Sequence, residues 1–382
     1  MSEPIRIAFL ARFLSGGLEQ VILNTLKGLS KYPNISLDLV VHCTDRLDRS
    51  CLPEGVRIID LKTPVDARLQ SAFKLIFPLI GYLRREKPQI LFSHLIYTNV
   101  VTVIARAIAR IPLSLILVEH NLLFSNSGKP DEPQSRLILR TMRWLYPRAE
   151  GVVAVSRGMA RALEERLGWL EGAISTIYNP VIDEDLLAKA QISPQHPWLE
   201  TTQPPVFLAA GRLTVAKDFP TLIQAFAQTR ERLPGVRLLI LGEGPQRIQL
   251  ELMAKKLGLE TEIAFPGFVK NPYAYMSRAP VFVLSSRWEG LPTVLIEAIA
   301  CGCQVVATDC PHGPREILAE GKYGHLVPVG DVETLAKAMQ HAIEHPIAPS
   351  QLQARSQDFS IDRAVSQYLN LLDLSPKQLA KR

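Results

Sequence analysis

Val281-Phe-Val-Leu-Ser-Ser-Arg-Trp-Glu-Gly-Leu-Pro-Thr-Val-Leu-Ile-Glu-Ala-Ile-Ala-Cys-Gly302 decides how this chain is read. Val281 to Ser286 is a short apolar run that predicts a buried strand. Glu289-Gly290 marks a turn, Pro292 suits the first turn of a helix, and Gly302 falls just past that helix's end. The helix is apolar on nearly every side, as expected of one packed within an α/β layer, yet it carries a carboxylate, Glu297, at its middle. An acid in such a place needs a partner. Glu297 lies about 9 Å beyond the helix start at ~1.5 Å per residue, so Glu289 and Glu297 can border one crevice at a strand's carboxyl end. Two carboxylates flanking helix-start N–H groups suit a ligand with both hydroxyls and phosphates.

The neighbouring segments repeat the strand, turn and helix order. Val206–Ala210 predicts a strand that runs into Gly211-Arg-Leu-Thr-Val-Ala-Lys-Asp218 and a helix from Pro220 through Arg232. Arg212 and Lys217 flank that loop and can bring a planar fork and a mobile point charge to the crevice, a pairing suited to a diphosphate. The alternative is a surface salt bridge. Val236 to Leu241 is the next strand, closed by Gly242-Glu-Gly-Pro245, where small residues allow close backbone approach by a ligand. Ile263 to Val269 is a strand ending in a turn, and Gly267-Phe268-Val269 can hold a nucleobase by backbone hydrogen bonds and apolar contact. Gln304–Thr308 is a further strand, followed by the polar loop Cys310-Pro-His-Gly-Pro-Arg-Glu316.

The first half alternates in the same way. Ile5–Leu10 is a strand, Phe13 to Gly17 a glycine turn, and Leu18 to Ser30 has helical spacing. That order places free N–H groups at the carboxyl edge of a parallel sheet, with tight turn packing as the plainer reading of Gly16-Gly17. Strands recur at 36–42, 57–60, 90–93, 114–119, 151–156 and 174–178. The fold class is therefore α/β, with parallel sheets covered by helices on both faces. Among the polar residues at strand ends, His94, Glu119, His120 and Ser156, His120 is singled out because a histidine there can donate or accept a hydrogen bond near neutral pH. It can equally be a capping or packing histidine. Ser156 reads as an N-cap for a helix over 157–167.

Length and composition set the bounds. At 382 residues the chain exceeds what one hydrophobic core usually spans, so two domains are expected, and 47% hydrophobic residues suffice for two cores. A proline-rich stretch without period between Ile192 and Pro205 reads as the linker. The expected domains are residues 1–185 and 206–355, joined by 186–205, with a terminal helix in 356–382 packing back across the boundary. Ile5–Leu10 is followed at once by Arg12 and the apolar run Leu75–Leu83 is too short to span a bilayer, so a soluble cytoplasmic protein without a secretory signal is expected. The five cysteines are odd in number and lack paired spacing, and Cys301 and Cys303 read as small buried residues at a helix–strand junction rather than metal ligands. Net charge is +6, and residues 1–190 hold most of it, with 24 Lys/Arg against 19 Asp/Glu. Arg84, Arg85, Arg106, Arg110, Arg136, Arg140, Arg143 and Arg148 alternate with apolar residues, Trp144 and Tyr146. Either these are solvated helix faces, or the first domain rests on an anionic membrane surface or holds an anionic acceptor. No aromatic stacking pattern or known module points to nucleic acid as a partner.

Gly16-Gly17, Gly211-Arg212-Leu213 with Lys217, Gly242-Glu-Gly-Pro245, Pro266-Gly-Phe268, and Glu289 followed after seven residues by Glu297 appear in order at suitable intervals. Together they resemble the glycosyltransferases of family 4 over about residues 5–340, most strongly in the second half. The resemblance implies two Rossmann-like doubly wound domains facing each other across a cleft, the B-type glycosyltransferase fold, and transfer with retention of the donor's anomeric configuration. It implies that Glu297 holds the donor ribose hydroxyls, Arg212 and Lys217 the diphosphate, and Glu289 the sugar near its C3 and C4 hydroxyls. Backbone N–H groups of Gly290, Leu291, Pro292's neighbourhood and Thr293 would meet sugar and phosphate, and Gly16 and Gly17 would approach the pyrophosphate. His120 would hydrogen-bond the transferred sugar near its C6 hydroxyl, which with Glu289 makes the pair placed against the reacting sugar. Gly242, Phe268 and Val269 complete the expected donor site. Asp218 departs from the glycine many relatives carry after the lysine, which bears on local loop shape.

The chemistry agrees with these residues, since Arg212, Lys217 and helix-start dipoles can stabilise a departing diphosphate. No Asp-x-Asp pair stands at a strand end, so no metal or other cofactor is expected. UDP-sugars are favoured over GDP-sugars, with a saccharide or lipid-linked acceptor in polysaccharide, glycan or glycolipid synthesis and peripheral contact with a membrane. The rivals are a nucleotide-sugar 2-epimerase, for which no acid–base set around C2 is found, and a nonenzymatic nucleotide-sugar-binding protein on the same fold.

Overall fold

The structure, a computed structural model, describes residues 4–11, 16–44, 49–63, 73–121, 133–194, 196–200 and 204–372. The chain divides into two compact units, Met1–Pro180 with Ile361–Arg382, and Val181–Ser360. The first carries a seven-stranded parallel sheet: β1 (Ile5–Ala11), β2 (Ile35–Val41), β3 (Arg57–Asp60), β4 (Ile90–His94), β5 (Ser114–Glu119), β6 (Gly151–Ala154) and β7 (Ser175–Thr176). Their order is β3-β2-β1-β4-β5-β6-β7. Strand order reverses between β1 and β4, which sends successive crossovers to opposite faces and leaves a crevice at the carboxyl ends of those two strands. The second unit repeats the plan with β8 (Val206–Ala210), β9 (Arg237–Leu241), β10 (Ile263–Gly267), β11 (Val281–Leu284), β12 (Gln304–Thr308) and β13 (His325–Val327). Their order is β10-β9-β8-β11-β12-β13, and the reversal falls between β8 and β11.

Sequence dictates these strands because apolar runs in a sheet covered on both faces need no alternation. Every residue of β8, β11 and β12 is buried. One core gathers Ile7, Phe9, Leu37, Leu39, Phe92 and Ile116, and the other gathers Phe207, Leu238, Ile240, Val281, Val283 and Val306. The first core also takes Ile361, Ala364, Val365, Tyr368 and Leu369 from the helix Ile361–Leu371. Each large apolar side chain so buried contributes roughly 1.5–3 kcal/mol, so this terminal helix is fixed by packing rather than by local propensity.

Several boundaries differ from the sequence reading. The stretch read as linker, 186–205, lies in the second unit, and the chain passes between units at Pro180–Val181 and Ser360–Ile361. Helix Glu184–Ala190, capped by Asp183 Oδ1 accepting from Leu186 N at 2.9 Å, occupies its beginning. The strand expected over 174–178 shortens to Ser175–Thr176, because it pairs only with Val153 and Ala154 at the sheet edge. β13, helix Val332–Glu344 and helix Pro349–Ser356 were not read from the sequence. Ser156 accepts from Met159 N at 3.3 Å and so caps helix Arg157–Leu167. Cys303 donates its thiol to Ala279 O, and Cys301 to Tyr273 O. No helix among the described residues is long and apolar enough to cross a membrane.

Candidate active site

In the second unit, the two strands flanking the reversal end in loops that are sewn together. After β8 the chain turns at Gly211, forms the short turn Val215–Lys217, and enters helix Phe219–Arg232. After β11 it passes Ser285 and Ser286, both buried, to Glu289 and helix Thr293–Ala300. Ser285 Oγ donates to Lys217 O at 2.7 Å, and Arg287 N donates to Ala216 O at 2.8 Å. Arg287 Nε also stands 3.0 Å from Asp218 Oδ2, which accepts from Thr221 Oγ1 at 2.9 Å. Asp218 has φ 47°, the left-handed region that Asp tolerates and β-branched residues avoid. The residue that departs from glycine therefore keeps the glycine-type backbone and adds a carboxylate clamp between the loops.

That stitching brings Lys217 and Glu289, 72 residues apart, into contact at 2.6 Å between Nζ and Oε1. Ser286 Oγ donates to the same Oε1 at 2.6 Å, and Thr308 Oγ1 steadies Ser286 by donating to its carbonyl at 2.5 Å. The ion pair is only partly screened, since both side chains are mostly buried. Arg212 stands exposed at the end of the same strand. Glu297 is 8% exposed; its backbone carbonyl accepts from Cys301 N at 3.0 Å, and its carboxylate has no hydrogen-bond partner among the described residues. Burial raises its carboxyl to about 7, partly offset by the charge of Lys217. The same desolvation, together with Glu297, raises the Tyr273 phenol and pushes Cys301 up to about 12. The sequence pair Glu289 and Glu297 thus separates into a paired carboxylate and an unpaired one beside a single lysine.

The backbone approaches closely where the sequence has glycines. At Gly242, φ is 128° and an added Cβ would lie 2.1 Å from Gly211 O, so no side chain fits. Gly242 N donates to Gly267 O at 2.7 Å, which ties the ends of β9 and β10. Beyond them Phe268 is 77% exposed and Val269 is half-buried. Gly290, Leu291 and Pro292 are buried, and Thr293 opens the helix.

In the first unit, Gly16 has φ 146° and Gly17 begins helix Gly17–Leu29, while 12–15 of the glycine turn lie outside the described residues. His120 is buried directly after β5 and its Nε2 lies 2.9 Å from Nδ1 of His94, the last residue of β4. Burial lowers His120 to about 3 and His94 well below its usual range, so both rings are neutral. Glu119 beside them accepts from Asn99 Nδ2 at 2.8 Å and from the Tyr146 hydroxyl, yet burial still raises it to about 7. Sequence reading named His94 and Glu119 only as strand-end polar residues and gave no site role to Asn99, Tyr146, Tyr273, Ser285 or Ser286. Two serines directly after an apolar strand were the available signal for the last pair.

Residues 194–359 match the family described as glycosyl transferases group 1, and residues 15–185 match Glycosyltransferase Family 4. The chain belongs to the family 4 glycosyltransferases. Among its relatives is the N-acetylgalactosamine-N,N'-diacetylbacillosaminyl-diphospho-undecaprenol 4-alpha-N-acetylgalactosaminyltransferase of Campylobacter jejuni, 32% identical over 202 residues that cover 52% of each chain. The lipopolysaccharide 1,6-galactosyltransferase of Salmonella typhimurium is 24% identical over 91% of this chain and 94% of its own. The chain spans about half the length of the first curated relatives it matches. In fold it matches HepE of Anabaena, solved in complex with UDP, with a TM-score of 0.78 at 23% identity, covering 97% of this chain and 100% of that one. The two parallel-sheet domains are thus those of the B-type glycosyltransferase fold.

Proposed function

We propose that this family member is a retaining, metal-independent glycosyltransferase that moves a hexose or N-acetylhexosamine from a nucleotide sugar to a saccharide or lipid-linked acceptor. The observation that carries this reading is the Lys217–Glu289 pair beside the buried, unpaired Glu297 at the second unit's strand reversal. Lys217 supplies positive charge for a diphosphate already in place, which is the charge a departing nucleotide develops. Glu297 is a hydrogen-bond acceptor without a protein donor, suited to ribose hydroxyls. Glu289, fixed by Ser286, offers its carboxylate to sugar hydroxyls, and Arg212 adds a second cation for phosphate. Gly290 to Pro292 lead into helix Thr293–Ala300, whose first N–H groups favour negative charge. Gly242, Phe268 and Val269 offer backbone and apolar surface to a base, and Gly16, Gly17 and His120 take the roles that family membership gives them.

UDP is the favoured nucleotide, in keeping with the UDP complex of HepE, and the names of the relatives point to lipid-linked or lipopolysaccharide acceptors. Contact with an anionic membrane is supported in the first unit by Phe77 and Trp144, 82% and 67% exposed, on helices that also carry Arg85 and Arg140. Arg84 and Arg106 are tied to the carbonyls of Ile108 and Arg148 and so serve the fold as well. The proposed place of work is the cytoplasm, at the inner face of the membrane.

The test is incubation with UDP- and GDP-sugars and an undecaprenyl-diphosphate-linked saccharide, followed by detection of nucleotide and glycoside. Release of UDP with a glycoside of unchanged anomeric configuration is expected. Interconversion of the sugar without transfer, or binding without turnover of any donor, would overturn the proposal.

A further inference from the structure

The His94–His120 pair is more constrained than either residue alone. Both rings are buried and neutral, and their centroids lie 5.2 Å apart with 30° between their planes. Phe9 lies on the other side of His94 at 6.0 Å and 20°. The 2.9 Å contact between His94 Nδ1 and His120 Nε2 holds one proton, and two arrangements are open to it. If His120 donates, neutral His94 must carry its own proton on Nε2. That atom is fully buried and has no partner among the described residues. A buried N–H without an acceptor is the rarer and costlier defect, whereas an unused lone pair is tolerated more often. The proton therefore belongs on His94 Nδ1, His120 Nε2 accepts it, and neutral His120 keeps its own proton on Nδ1.

We propose that His94 is a positioning residue that locks His120 in the Nδ1–H tautomer, so that His120 meets the sugar as a hydrogen-bond donor and never as a base. The proposal rests on the donor-sugar reading of His120, but the lock itself is a property of the first unit. The register supports a rigid device, since His94 pairs with Val118 in adjacent parallel strands and both histidines sit at the strands' carboxyl ends. A donor N–H fixed in advance orients a sugar hydroxyl oxygen without reorganisation, and the lone pair needed to remove a proton is absent from Nδ1.

The lock is read directly by long-range 1H–15N correlation on the full chain labelled at histidine, with His94→Asn and His120→Asn variants to assign the signals. At pH 7 the protein should show His94 protonated at Nδ1 only and His120 protonated at Nδ1 only. In His94→Phe, which keeps an aromatic ring but removes the donor, His120 should populate the Nε2–H form. The His94→Asn variant, whose amide can donate from nearly the same place, should restore the Nδ1–H form. With UDP-glucose, UDP-galactose and UDP-N-acetylglucosamine as probes, whichever is turned over should show kcat down about tenfold in His94→Phe, KM changed less than about twofold, and rescue by His94→Asn. A proton on His94 Nε2 in the unaltered protein, or an unchanged His120 tautomer in His94→Phe, overturns the lock. The expected tautomers with no turnover of any nucleotide sugar would leave the lock standing and instead sink the functional reading beneath it.

Discussion

The carboxyl edges of the two sheets are built from the same strand, turn and helix units, yet they treat charge in opposite ways. At the edge of β8 and β11 a lysine and a carboxylate pair at 2.6 Å, with a second carboxylate, Glu297, buried nearby. At the edge of β4 and β5 two histidines are held neutral by burial, and Glu119 is pushed toward neutrality in spite of two donors. The first arrangement suits a charged diphosphate and the second a neutral sugar. One geometry thus yields an electrostatic grip or an orienting surface, according to whether opposite charges are placed within reach.

The contrast breaks first at Lys217. Replacing it by Ala removes the cation and leaves Glu289 unpaired, so UDP-sugar turnover should fall by about 10²–10³-fold in steady-state assays. A smaller loss would shift the grip to Arg212. Gly242→Ala should come next, through the fold: a Cβ 2.1 Å from a carbonyl oxygen should lower stability by about 2–4 kcal/mol in urea unfolding. An unchanged midpoint would mean that the close approach of β8 and β9 relaxes freely.

Glu297→Gln should weaken UDP-glucose binding about tenfold at pH 8 by replacing a charge-assisted acceptor with a neutral one. Because the free carboxyl titrates near 7, affinity of the unaltered protein should fall as pH drops from 8 to 6, while the Gln variant should stay flat. Parallel profiles in calorimetric titration would contradict this. For Glu119 the consequence concerns stability. Its folded value is raised from 4.5 to about 7, so the native state binds the extra proton and loses stability as pH rises through that window. Glu119→Gln should therefore gain relative stability between pH 4.5 and 7 and run parallel to the unaltered protein above it. The smallest effect expected is that of chelation: EDTA should leave turnover within about twofold, since Lys217 already supplies positive charge.

How far the sequence foretold these edges depends on distance along the chain. The strands β3, β5, β8 and β12 have the limits that their residues predict, because a short run of strand-forming residues between turn residues is a local signal. β13 is three residues long and lies too close to noise, but helix Val332–Glu344 buries Leu335, Ala336, Met339 and Ala342, a spacing that was there to be read. The linker misled because prolines mark irregular chain whether or not it packs, and Val181 N donates to Phe359 O within the second unit. At the site, Glu297's burial followed from its apolar helix. The direct Lys217–Glu289 contact did not, since it depends on Ser285, Arg287 and Asp218 tying two loops that no local pattern connects. Nor did the histidine pair, which needs the β4–β5 register to bring residues 94 and 120 together.

The most direct test of the charged edge is a crystal structure of the chain with UDP. Lys217 Nζ should lie about 3 Å from a diphosphate oxygen and both ribose hydroxyls should reach the Glu297 carboxylate at similar distance. UDP bound elsewhere, or bound with Glu297 untouched and Lys217 still paired only to Glu289, would contradict the account.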